Sequence, residues 1–274
     1  MKTEHLAALT RHIVELKGGY RTSHALIDWH LRKRRPPIEY DVMGFRMLLD
    51  PQEFVDQELL FHPQLYEAAE LQYVRSHLSP GDIFVDIGSH IGLYSLLASA
   101  AVGATGRVVA VDADPDTFAR LGQNLRLNSA GNVQSYNRGV SNERGSLPLY
   151  RWTGTGPNAG ANTLIPRNDP GDEWTNAGEV RCVTLLDVLT LAGVKAINGL
   201  KMDIERAEYK VLSRFLAEAP VPLLPSFILF EEYQSTIDLA GGSVVRLLES
   251  DGRYRQLANS NAMKRDHIFE LILT

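Results

Sequence analysis

The stretch Gly81-Asp-Ile-Phe-Val-Asp-Ile-Gly-Ser-His-Ile-Gly-Leu-Tyr-Ser95 constrains this chain more than any other. Ile83 to Ile87 is a short run of β-favouring residues around the carboxylate of Asp86. Gly88 and Gly92 follow, and an apolar pattern at helical spacing then runs from Leu93 to Ala101. The order predicted is strand, tight glycine turn, helix. Glycine suits a backbone that must pass close under a ligand, because a Cβ would occupy that space.

Asp86-x-Gly88-x-x-x-Gly92 is not the G-x-G-x-x-G fingerprint of dinucleotide sites. It sets a carboxylate at the strand end, which favours a cationic or polyhydroxyl ligand over a phosphate. Further on, Gly106-Arg-Val-Val-Ala-Val-Asp112 predicts a second strand ending on an acid. An acid at that place can accept both hydroxyls of a ribose. The two strand ends together describe an adenosine with a positively charged, phosphate-free tail. S-adenosylmethionine has that shape, with Asp86 and the glycine turn facing its amino-acid end and Asp112 its ribose.

A chain of 274 residues suffices for one large α/β domain with an N-terminal extension. Its formal charge of −5 and isoelectric point near 5.9 argue against a dedicated nucleic-acid binder, which normally carries a basic excess. Arg32-Lys33-Arg34-Arg35 is a local exception and reads as a solvated patch at a helix end. A single cysteine, Cys182, permits no internal disulfide, and its place in the alternating Val180-Arg-Cys-Val-Thr184 reads as a packed thiol. With no secretory signal, no long apolar span and no cluster of Cys and His at metal-ligand spacing, the expectation is a soluble, cytoplasmic protein without stable membrane insertion.

From the N-terminus, helices are predicted over His5 to Leu16, ending at Gly18-Gly19, and over Ser23 to Lys33, ending at Pro36-Pro37. They are expected to lie outside the core unit as a lid, a dimer contact that would make the chain a homodimer, or a substrate wall. Ile38 to Asp50 predicts a hairpin turning at Met43-Gly44, and Glu53 to Leu60 and Leu65 to Leu78 predict helices leading to the first core strand. Residues 1–60 thus form an extension and 61–274 the main domain. Pro115 opens a helix to about Asn128, and Gly131 to Tyr136 predicts the third strand. In the following loop Asn137 or Arg138 is placed to touch an adenine, with ordinary loop chemistry as the alternative.

Residues 153–178, rich in Gly, Asn, Pro and Asp, are too long for a simple connection and read as a cover on the acceptor side. Ala196 to Asp203 and Pro225 to Glu232 predict two further parallel strands, and Tyr254 to Leu257 and His267 to Leu273 an antiparallel finish. Asp86, Asp112, Asp203, Glu231 and Glu232 all fall at carboxyl ends of predicted strands, the edge where open α/β sheets bind ligands.

These segments resemble the FkbM-type S-adenosylmethionine-dependent methyltransferases. The resemblance rests on Tyr66-Glu67, Pro80 to Gly92, Val111-Asp-Ala-Asp-Pro115, Val183-Thr-Leu-Leu-Asp-Val-Leu189 and Lys201-Met-Asp-Ile-Glu-Arg-Ala-Glu208. It implies the class I methyltransferase fold: a Rossmann-like, doubly wound, mostly parallel sheet of seven strands. It also implies cofactor contacts from Glu67, Asp86, Gly88, Ser89, His90, Gly92, Asp112, Ala113 and Asp203. His90 stands where the family commonly has Asn, Asp112 where Glu is usual, and Arg206 where Gly is usual, which is expected to turn a side chain toward the acceptor.

The resemblance implies methyl transfer to a hydroxyl of a small metabolite such as a sugar, polyketide or glycolipid. Such an acceptor must lose a proton, for which Asp203, with Glu231, Glu232 or His90, is the candidate base. Asp203, Glu231 and Glu232 are equally a candidate set for Mg²⁺, which would orient and acidify the hydroxyl. The competing readings are an NAD-dependent oxidoreductase, disfavoured by the glycine spacing, and a non-catalytic relative of the fold.

Overall fold

The structure, a computed structural model, describes residues 1–154, 158–166, 173–232, 237–257 and 266–272. Its centre is a seven-stranded sheet in the order β11-β12-β10-β9-β3-β4-β5. The strands are β3 (Ile83–Ile87), β4 (Arg107–Asp112), β5 (Val133–Asn137), β9 (Gly199–Met202), β10 (Phe227–Glu231), β11 (Tyr254–Gln256) and β12 (Asp266–Leu271). β5, β4, β3, β9 and β10 are mutually parallel, and β12 runs antiparallel to both of its neighbours. The mostly parallel sheet read from the sequence is therefore the observed one.

Strand side chains alternate between two cores, as a period of two requires. Phe84, Val108, Ala110, Phe227 and Leu229 face one core with α4 (Ala68–His77), α5 (Leu93–Val102) and α6 (Pro115–Leu127). Val85, Ile87, Val109, Val111, Leu200, Met202, Ile228 and Phe230 face the other, with α7 (Leu185–Leu191), α8 (Glu208–Glu218) and α10 (Val244–Asp251). Burial on both faces explains why these strands read as continuous apolar runs. α9 (Ile237–Ala240) and α10 are separate helices, because Gly241 (φ 90°) and Gly242 (φ 157°) break the chain between them.

Helices α1 (Thr3–Ile13) and α2 (Gly19–Leu31) and the hairpin β1 (Ile38–Val42) and β2 (Phe45–Leu49) precede α3 (Phe54–Phe61). Met43 (φ 52°) and Gly44 (φ 91°) are both left-handed, as a two-residue hairpin turn that matches strand twist needs. These elements do not stand outside the core. Leu6, Ala7, Ile27, Val42, Met47 and Leu49 belong to the same buried cluster as α4 to α6. Thr10 Oγ1 and Arg11 Nε donate to the carbonyls of Phe61 and Leu60, so α1 caps the open end of α3. Asn124 and Asn128 of α6 accept from the β2 backbone at Leu48 (2.7 Å) and Arg46 (2.9 Å). Polar satisfaction and burial thus fix the extension to the sheet.

β6 (Gly139–Val140), β7 (Gly145–Trp152) and β8 (Trp174–Val183) form a small second sheet. β8 begins at Trp174, within the stretch expected to be loop, because residues 174–176 pair with Trp152, Arg151 and Tyr150 of β7. Cys182 is buried there, as its alternating surroundings suggested.

Candidate active site

The carboxyl ends of β3, β4, β9 and β10 surround a cavity of about 310 Å³. Its floor is the glycine turn. Gly88 N and Ser89 N both donate to the Val111 carbonyl (2.9 and 3.0 Å), and His90 N donates to Asp112 Oδ2 (2.9 Å). The turn is left-handed at Gly88 (φ 78°), His90 (φ 48°) and Gly92 (φ 96°). A Cβ on Gly88 would lie 1.7 Å from the Asp203 carbonyl oxygen, and one on Gly92 would lie 2.6 Å from Leu121 Cδ1. The two glycines therefore make room for the protein's own packing, with the Gly88 backbone pressed against the exit of β9, as well as bordering the cavity.

Asp86 departs from the expectation. Its side chain is fully buried and accepts from Ser95 Oγ at 2.6 Å, and it is not among the residues bordering the cavity. It is the direct register partner of Lys201 across the β3–β9 pair, and Lys201 does border the cavity. Burial raises the Asp86 carboxyl, opposed chiefly by the Lys201 charge. Burial would lower Lys201, but Asp203, Asp86 and Glu67 together hold it above its ordinary value and so cationic. Its Nζ lies 3.3 Å from Asp203 Oδ2 and 4.9 Å from the Tyr94 ring centre. Asp86 thus holds the buried cation and the start of α5 from below the cavity.

Glu67 does reach the cavity, from a left-handed residue (φ 42°) just ahead of α4. Its Oε2 accepts from Tyr94 Oη at 2.6 Å, and burial raises its carboxyl against the pull of Lys201. Lys201 is a site residue that the sequence motif contained but its chemistry did not single out, since a lysine inside a parallel strand gives no sign of where its tip ends.

Asp112 borders the cavity beside Ala113. Its Oδ2 holds His90 N and its Oδ1 holds Asp114 N (3.0 Å), leaving further lone pairs on each oxygen for hydroxyl donors. Burial lifts its carboxyl to about 7, against the opposing pull of those two backbone donors. Arg138 also borders the cavity, whereas the Asn137 amide is spent on the carbonyls of Asp112 (2.9 Å) and Ala113 (3.0 Å) and braces the turn. Asn137 is therefore a support for the site and does not line it.

The third wall comes from the loop expected to be a cover. Asn158, Ala159, Gly160, Asn162, Thr163 and Leu164 border the cavity next to Phe54, Val55 and Leu59 of α3, with Gly160 packed close to Val55. The loop is tied at several places. Ala159 N donates to Glu53 (2.9 Å), and Asn162 Nδ2 donates to Asp114 Oδ2 (2.9 Å). Thr163 Oγ1 donates to the Glu205 carbonyl (2.8 Å), and Arg206 Nε donates to the Ile165 carbonyl (2.8 Å). Asp114 also caps α6 and takes a two-pronged bond from Arg151, both arms at 2.7 Å. Arg206, at φ 87° where glycine is at ease, carries its guanidinium over the Trp174 ring at 5.6 Å. It does not enter the cavity.

Glu205 was not anticipated. Glu205 (φ 53°) and Arg206 (φ 87°) are both left-handed, and α8 starts only at Glu208. The added turn brings Glu205 to the cavity wall with Asp203 and Glu231. One carboxylate oxygen from each of these three lies within 4.8 Å of the others. Burial, then the charges of Asp203 and Glu231, push the Glu205 carboxyl well above its ordinary range.

Glu232 belongs elsewhere. It is buried, accepts from Ser243 Oγ (2.8 Å) and from Val244 N, and so caps α10. It does not border the main cavity, so the acids that line it on this side are Asp203, Glu205 and Glu231. His90 borders the cavity, but burial and then Arg120 lower its imidazole to about 3, which makes it a poor proton acceptor at neutral pH.

The cavity fits an adenosyl group on the evidence of its own unsatisfied atoms. Ser89 Oγ, His90 Nε2 and Asn158 Oδ1 are buried, belong to residues around the cavity and have no hydrogen-bond partner among the described residues. Buried polar atoms are rarely left so unless something binds them. A sheet of this order with an acid-rich hollow over the carboxyl ends of β3, β4, β9 and β10 defines a class I S-adenosylmethionine-dependent methyltransferase.

The model of the methyltransferase FkbM domain matches residues 86–252, and the chain belongs to that family. It is 30% identical over 203 residues to the 31-O-demethyl-FK506 methyltransferase FkbM of Streptomyces tacrolimicus, spanning 64% of this chain and 74% of that protein. A shorter likeness, 35% over 57 residues, links it to an arsenite methyltransferase of Halobacterium salinarum and spans 21% of this chain and 15% of that protein. Among solved structures, a SAM-dependent methyltransferase from Aquifex aeolicus is similar at a TM-score of 0.42 and 14% identity, over 76% of this chain and 90% of that one.

Proposed function

We propose that this methyltransferase acts on a hydroxyl of a small metabolite, with the carboxylates of Asp203, Glu205 and Glu231 receiving the proton that the hydroxyl loses. The observation that carries the reading is the convergence of those three acids in the wall of the cofactor cavity. Three ionised carboxylates this close repel one another, so one of them holds a proton readily. Burial and the neighbouring charges raise the Glu205 carboxyl well above its ordinary range, so it holds a proton more readily than an exposed glutamate does.

S-adenosylmethionine, when bound, supplies an activated methyl group on a sulfonium. The remaining work falls to the chain. Asp112 accepts ribose hydroxyls, while Ser89, His90 and Asn158 offer their unsatisfied atoms to the bound group. Loop 158–166, packed against α3, closes the hollow together with that helix and excludes water, which fixes the acceptor oxygen in line and near the acids. Phe54, Val55, Leu59 and Leu164 give that side of the cavity apolar surface suited to a carbon skeleton bearing hydroxyls.

The net charge of −5 supports a small acceptor over a polyanionic one. No helix among the described residues is long and apolar enough to cross a membrane. The Streptomyces relative is named for methylation at an oxygen, which supports an oxygen acceptor here. With Glu232 committed to α10, a Mg²⁺ reading would need Asp203, Glu205 and Glu231 instead.

The test is an assay of S-adenosylhomocysteine release over a panel of hydroxylated polyketides, glycosides and glycolipids, beside RNA and amine acceptors. Release with a hydroxyl acceptor, lost in Glu205→Gln, supports the proposal. Methylation of RNA or an amine, or unchanged hydroxyl turnover in Asp203→Asn and Glu205→Gln alike, refutes it.

A further inference from the structure

A second group of ligating side chains lies in the N-terminal helices. Glu58 and His62, four residues apart at the end of α3, share one face, and His24 joins them from α2. One ligand atom of each lies within 4.8 Å of the others. The His24 and His62 ring centres are 4.9 Å apart, and Tyr20 packs edge-on to His24 at 4.2 Å. His62 is 0% exposed.

The protons identify what the group lacks. Ser23 Oγ donates its one hydrogen to the Tyr20 carbonyl at 2.8 Å, so its 2.8 Å contact with His62 Nε2 requires the ring nitrogen to be the donor. A neutral His62 then presents a bare lone pair at Nδ1. Among the described residues Nδ1 has no hydrogen-bond partner, and Glu58 Oε2, itself an acceptor, lies 3.7 Å from it. His24 Nε2 is likewise buried and unpartnered. Acceptors that face one another inside a helix junction are stabilised by a positive centre between them.

We propose that His24, Glu58 and His62 bind a divalent first-row cation of the zinc class. Two imidazoles and one carboxylate suit Zn²⁺ better than Mg²⁺ or Ca²⁺, and three protein ligands leave a fourth position for water. Ser23 is the outer partner that fixes the His62 tautomer. The ion joins α2 to α3, the helix whose Phe54, Val55 and Leu59 border the cofactor cavity. Nothing in the spacing of the sequence reveals it, because the ligands come from two helices with a hairpin between them.

The tag-free full chain, stripped with chelator, is titrated with Zn²⁺ against a chromophoric competitor and followed by thermal melting. One equivalent of tight binding is expected, with a melting temperature raised by about 5 °C at a hundredfold excess over Kd. His24→Gln, Glu58→Gln and His62→Gln are expected to weaken Zn²⁺ binding by about 100-fold or more, and Ser23→Ala by about tenfold. Should His62→Gln fail to fold, the partly exposed His24 and Glu58 carry the test. No stoichiometric uptake, uptake that survives His24→Gln and Glu58→Gln, or uptake abolished only by Glu205→Gln overturns the site. None of these results bears on methyl transfer, which the acceptor assay tests separately.

Discussion

Replacing Gly88 by alanine tests how the glycine turn and β9 hold each other. The new Cβ would lie 1.7 Å from the Asp203 carbonyl oxygen, where ordinary contact begins at 3.4 Å, and the obstacle is backbone that no rotamer change can move. The turn and β9 must part by about 1.7 Å, which strains the 2.9 Å bond from Asp203 N to the Ile87 carbonyl. Overpacking of this kind costs about 1–3 kcal/mol. Left-handed alanine adds about 1–2 kcal/mol at φ 78°. Gly44→Ala supplies the control, since Gly44 is left-handed too (φ 91°) but has nothing within 4 Å of a Cβ. Urea unfolding is expected to show Gly88→Ala less stable than Gly44→Ala by about 1–3 kcal/mol. Displacing Asp203 should also cut turnover by about 100-fold in Gly88→Ala, with turnover unaltered in Gly44→Ala. Equal stability and equal turnover in the two variants would refute the packing argument.

Three further outcomes follow from the site. Asp112, lifted to about 7, must be ionised to accept ribose hydroxyls, so affinity for S-adenosylhomocysteine should rise about tenfold between pH 6 and 8 by calorimetry and stay flat in Asp112→Ala. The sign is set by a raised acid: below its folded value it holds a proton that ligand binding must displace. Glu205→Gln should lower kcat by about 100-fold while leaving the affinity for S-adenosylhomocysteine within about threefold, read by steady-state kinetics and calorimetry. Arg206→Gly removes left-handed strain and one tie to loop 158–166 together, so stability should change by less than about 1 kcal/mol while limited proteolysis of that loop accelerates severalfold.

The sheet was legible because β-branched and apolar runs buried on both faces, each ending near an acid or glycine, have few other readings. Asp112 and the Met43-Gly44 turn were found on the same kind of signal. What escaped depends on where a side chain ends after the backbone bends. Glu205 reaches the cavity through two successive left-handed residues, one of them an arginine that propensity would never place there. Glu232, adjacent to Glu231, points instead to the start of α10, because neighbours along a strand face opposite ways. Asp86 lies beneath the floor for the same reason. Trp174 to Asn176 read as loop by composition and became strand only through pairing with β7, a contact between distant segments. The helices of residues 1–60 joined the core through buried faces whose partner surface lay elsewhere in the chain.

The most direct measurement is a calorimetric titration of the purified chain and of Asp112→Ala with S-adenosylhomocysteine. Two charge-assisted hydroxyl bonds to Asp112 predict one-to-one binding that weakens by about 10- to 100-fold in the variant. Equal affinity in the two proteins, or no binding by the wild-type chain, would contradict the placement of the adenosyl group over the carboxyl ends of β3 and β4.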